Sequence, residues 1–86
     1  MKASDTETAA RLVRVRDGLR ADLHRVQIAT EFSVCCQATQ EDPRGMSEML
    51  PEEAEGFERI RTIVSAWLNA KIGHIEKAMK EIGVEP

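Results

Sequence analysis

Between Phe57 and Ile82 the apolar positions recur every three or four residues: Phe57, Ile60, Val64, Leu68, Ile75, Met79 and Ile82, joined by Ile63, Trp67, Ile72 and Ala78. At the helical advance of about 100° per residue these side chains share one broad arc, so the segment reads as an amphipathic helix that must bury that arc. A second stripe, Leu12, Val15, Leu19, Leu23 and Val26, keeps its phase through Asp17 and Gly18 and predicts one continuous helix. Gly18 costs such a helix about 1 kcal/mol relative to Ala and is the one place where it could break, but the unbroken phase argues for one helix rather than two.

The residues between the stripes place the ends. Ser4 followed by Glu7 has the spacing of a capping box, in which the two side chains satisfy backbone N–H groups of the first turn. Pro43 and Gly45 close the first pattern. Pro51, with its fixed φ and missing N–H, followed by Glu52, Glu53 and Glu55, suits the opening of a helix. Gly83 suits its left-handed end, with Val84 folding back before Pro86. The chain therefore reads as all-α: a helix over about 4–41, a loop over 42–51 and a helix over about 52–82, closed into an antiparallel helical hairpin. The first helix would be roughly 50 Å long.

Beyond Val26 the first stripe fades, and Ile28, Phe32, Cys35 and Cys36, with Ala21 and Ala29, form a new apolar patch on the opposite side of the expected helix. One neighbouring helix cannot cover both sets. The patch is expected to be an interface between copies, in a homodimeric four-helix bundle or a higher helical oligomer.

Composition narrows the function. At 86 residues the chain allows one domain with a thin core. No apolar run approaches the ~20 residues that cross a bilayer, and Met1 to Asp5 carry no secretory apolar stretch, so a cytoplasmic place is expected, with no membrane partner. A net charge of −3 speaks against coating nucleic acid through bulk charge. Phe32, Phe57 and Trp67 are the only aromatic residues, too few for a base-stacking platform.

The charge is uneven. Arg11, Arg14, Arg16, Arg20 and Arg25 crowd one end with Lys71, Lys77 and Lys80, whereas Glu41, Asp42, Glu48, Glu52, Glu53, Glu55 and Glu58 gather at the other. Because guanidinium groups grip phosphate with paired hydrogen bonds, Arg11, Arg14, Arg16 and Arg20 are the candidate anion site, for nucleic acid or a small phosphorylated ligand. The opposite charges also suit head-to-tail contact between subunits.

Reactive chemistry is sparse. Cys35 and Cys36 are adjacent, which suits neither a mutual disulfide nor shared metal ligation, and both are expected to be buried as small hydrophobes. His24 and His74 lack the spacing of helical metal sites. Lys71 lies inside the apolar arc and is expected to lead its ammonium to the edge or to pair with Asp22. With no nucleophile–base pair, Gly-rich phosphate loop or paired acids, no catalytic residue, cofactor or metal is expected. The sequence points to a non-enzymatic interaction or adaptor-type protein that homo-oligomerises and binds another protein. Binding of nucleic acid or a phosphorylated ligand is the alternative.

Overall fold

A computed structural model describes residues 3–85, with side chains from Asp5 onward; the Ser4 side chain of the expected capping box lies outside the described residues. The order of elements is α1 (Ala3–Ile28), β1 (Glu31–Cys36), β2 (Met46–Pro51) and α2 (Phe57–Glu81). Residues 31–36 and 46–51 form a two-stranded antiparallel sheet, which overturns the all-α hairpin and, with it, the four-helix bundle. The first helix stops at Ile28, not near residue 41.

The departure has a local cause. The run Phe32, Ser33, Val34, Cys35, Cys36 fits a helical spacing counted from Ile28 and also alternates with a period of two, and a short apolar run satisfies both templates. Aromatic and β-branched residues in that run favour the pleated form once a partner strand exists. Met46–Pro51 is that partner, in the register Phe32 opposite Leu50, Val34 opposite Glu48 and Cys36 opposite Met46. The connection over 37–45 is held by its own polar groups. Thr39 N–H donates to the Asp42 carbonyl at 2.8 Å, Asp42 N–H donates to Thr39 Oγ1 at 3.0 Å, and Arg44 N–H donates to Asp42 Oδ1 at 3.2 Å. Gly45 then turns the chain with φ +65°, and a Cβ there would stand 2.5 Å from the Cys36 carbonyl oxygen, so only glycine fits.

Pro51 ends β2 instead of opening α2, and both strands of a two-stranded sheet are edge strands, where Pro is tolerated. Two successive turns follow, and Gly56, with φ +88°, is the cap from which α2 starts at Phe57. At the far end Gly83 takes a left-handed φ of +82° while Val84 N–H reaches the Met79 carbonyl at 2.9 Å and Gly83 N–H the Lys80 carbonyl at 3.0 Å. That is the Schellman closure, which satisfies carbonyls the last turn leaves open. α1 runs unbroken through Gly18.

The two helices lie antiparallel and the hairpin caps one end. Among the described residues four are buried, Phe57, Leu68, Ile72 and Met79, all on α2. Opposite them α1 supplies a half-buried stripe, Leu12, Leu19, Leu23 and Val26. Phe32 from β1 stacks on Phe57, with ring centroids 4.7 Å apart, and ties the sheet to the helices. The particle measures 48 × 33 × 14 Å, little more than one helix thick.

Candidate interaction surface

One side chain joins three elements. Arg61, in the second turn of α2, donates from Nη1 to the carbonyls of Val26 and Gln27 at 2.9 and 2.6 Å, and from Nη2 to that of Ala29 at 3.0 Å. These oxygens belong to the last turn of α1 and the residue just past it, where helix geometry leaves carbonyls without partners. Glu58 holds the same guanidinium from the other side, at 3.0 and 3.2 Å, and its carbon stands 5.0 Å from the Phe57 ring centroid and 6.0 Å from that of Phe32. Arg61 thus ends α1 and fixes where the hairpin leaves it. The sequence reading did not single it out; the Glu58–Arg61 spacing was the only local hint.

Among the described residues six large hydrophobic side chains are exposed: Val15, Ile28, Met46, Met49, Ile63 and Trp67. Ile63 and Trp67, expected inside the buried arc of α2, are 61% and 58% exposed, because α1 is a single helix and covers only the centre of that arc. The Lys71 ammonium lies over the Trp67 ring, its Nζ 4.5 Å from the ring centroid. Lys71 is exposed, and Asp22, its expected partner, instead accepts Arg25 Nη1 at 2.7 Å. Next to Trp67 an apolar groove runs across the helix seam, lined by Val15 and Leu19 of α1 and by Lys71, His74 and Ile75 of α2. On the other side of the seam sit polar links, including Arg20 Nη2 to Glu76 Oε1 at 3.8 Å and Arg16 to Asp17 at 3.3 Å.

The residues expected to form the interface do not share a face. Ile28 is 63% exposed at the end of α1. Phe32 is half-buried on Phe57. Cys35 and Cys36 are both exposed, not buried, and as strand neighbours they point to opposite faces of the ribbon. The four arginines of the candidate anion site are also separated. Arg11 and Arg14 line a shallow cleft with Glu7, Thr8 and Ala10, whereas Arg16 and Arg20 are paired with Asp17 and Glu76 near α2.

The charge separates along the long axis. Residues 22–70, which make up the hairpin end, hold nine acidic and four basic side chains, a net of −5, and residues 5–21 and 71–85 hold six acidic and seven basic, a net of +1. Among the described residues no group of His, Cys, Asp or Glu is arranged to hold a metal ion, and no helix is long and apolar enough to cross a membrane. Comparison with family models, curated proteins and solved structures finds no match.

Proposed function

We propose that this chain is a non-enzymatic interaction module that works as a homo-oligomer and offers its acidic hairpin end to another protein. The supporting observation is surface area. The isolated chain, of 9.6 kDa, exposes 6686 Å². A folded monomer of that mass exposes about 5,100 Å² by the usual scaling. The surplus of roughly 1,600 Å² is about twice what one partner contributes to a standard protein–protein interface. The radius of gyration, 17.3 Å, points the same way against about 12 Å for a compact domain of this length.

The hairpin end suits a basic partner, because its carboxylates outnumber its cations. A cytoplasmic place belongs to this reading, since two exposed, unbridged thiols suit a reducing compartment. Light scattering after size exclusion tests the assembly: a mass of at least twice 9.6 kDa at about 100 µM is expected, and a monomer at that concentration refutes it. Affinity capture at low and high salt, using the chain with Glu48, Glu52, Glu53 and Glu55 changed to Gln as the comparison, tests the second half. A partner held equally by both forms would remove the hairpin end from the proposal.

A further inference from the structure

We infer that the face carrying Trp67 is the docking surface for a second copy of this chain, and that the two copies run antiparallel, with their hairpins at opposite ends of the pair. The inference rests on the self-assembly reading above and names its interface. Ile63, Trp67 and Lys71 follow one another at intervals of four on α2 and so share one side of it. The groove of Val15, Leu19, Lys71, His74 and Ile75 continues that side across the seam to α1, where Val15 is 43% exposed. The face therefore spans both helices, with an exposed indole at its centre and the Lys71 ammonium over its ring. Tryptophan surrounded by aliphatic contacts and a polar border is the composition that dominates binding energy in protein interfaces.

A second copy fits because the face supplies both halves of the contact. The groove lies four to eight residues beyond Trp67 along α2, about 6 to 12 Å. A two-fold axis crossing α2 near Asn69 and Ala70 carries Trp67 of each copy toward the groove of the other, so one patch serves as knob and hole in an isologous pair. The surplus exposed area is large enough to supply such an interface and still leave the hairpin uncovered.

Charge selects the orientation. A parallel pair sets two ends of net −5 side by side, whereas an antiparallel pair sets each against an end of net +1. The shape agrees, since antiparallel stacking of two plates 14 Å thick gives a core about two helices deep, the layering that ordinary domains need.

Trp67 is the only tryptophan, so its fluorescence reports the face directly while light scattering reports the assembly. The inference expects a dimer with blue-shifted emission poorly quenched by acrylamide, turning red-shifted and quenchable on dilution. Trp67→Glu should weaken dimerisation at least about 30-fold. Met49→Glu, at an equally exposed apolar site on the hairpin, should leave it unchanged, with far-ultraviolet circular dichroism confirming that both variants fold. A parent dimer whose indole stays fully quenchable would overturn the face and leave self-assembly standing. A parent monomer would overturn both and hand the face to a different protein. A short bismaleimide should not join the copies through Cys35 or Cys36, which the antiparallel arrangement keeps at opposite ends. Efficient cross-linking within the dimer would refute that orientation.

Discussion

Arg61→Met should be among the most damaging single changes in this chain, although the residue lies at no predicted site. The substitution keeps most of the aliphatic stem beside Phe57 and removes five hydrogen bonds, three to carbonyls closing α1 and two to Glu58. The Glu58 pair contributes little, because that carboxylate is 73% exposed and exposed pairs are worth about 0–1 kcal/mol. The Gln27 carbonyl is exposed as well and can take water in exchange. The Val26 and Ala29 carbonyls are partly buried, and losing a charged donor there costs about 1.5 kcal/mol each at the low end of the usual range. Removal of a cation from a helix C-terminus adds roughly 0.5 kcal/mol. The sum, about 3 to 4 kcal/mol, is a large share of the roughly 4 to 13 kcal/mol that a chain of this size commands. Thermal unfolding followed by circular dichroism should show Tm lower by at least about 12 °C, given about 4–8 °C per kcal/mol for a small domain. Arg59→Met, two residues away and exposed, is the control and should stay within about 0.5 kcal/mol of the parent. All forms need the same chain concentration, because assembly makes Tm concentration-dependent. Arg61→Lys should recover less than half of the loss, since one ammonium cannot span three carbonyls. A fall of under about 3 °C for Arg61→Met would mean that α1 ends at Ile28 for another reason.

Gly45→Ala should destabilise the hairpin by about 2 kcal/mol or more, because it combines a left-handed backbone with a Cβ 2.5 Å from the Cys36 carbonyl oxygen; amide exchange in residues 31–36 and 46–51 should quicken, and unchanged protection would contradict this turn. Gly73→Ala should stabilise α2 by roughly 0.5–1 kcal/mol, since the position is exposed mid-helix and an added Cβ meets nothing within 4 Å; an unchanged or lower Tm would show that something approaches that surface. Both Cys35 and Cys36 should react with a thiol reagent in the native protein without denaturant, and one protected thiol would mean that assembly or a partner covers that face of the hairpin.

Local sequence was sufficient for the parts held by local rules. The α2 stripe, its Gly83 closure and the passage of α1 through Gly18 follow from side-chain period and backbone freedom within a few residues. The acid-rich and mixed ends also follow from the order of charges once the helices are antiparallel. Residues 31–36 were not decidable this way. Their apolar positions fit periods of 3.6 and 2 alike, and the choice fell to pairing with residues 46–51, a strand that lacks apolar alternation of its own because Ser47 and Glu48 interrupt it. The start of α2 moved for the same reason, since Pro51 was drawn into that strand and Gly56 became the first residue able to cap the helix. Beyond its spacing from Glu58, Arg61 carries no signature in sequence, because its carbonyl partners lie 32 to 35 positions away and open to a side-chain donor only once α1 has ended. The exposure of Ile63 and Trp67 is tertiary too. An apolar arc reveals that a helix must be covered, but the width of the cover depends on how many neighbours the fold supplies, and here it supplies one.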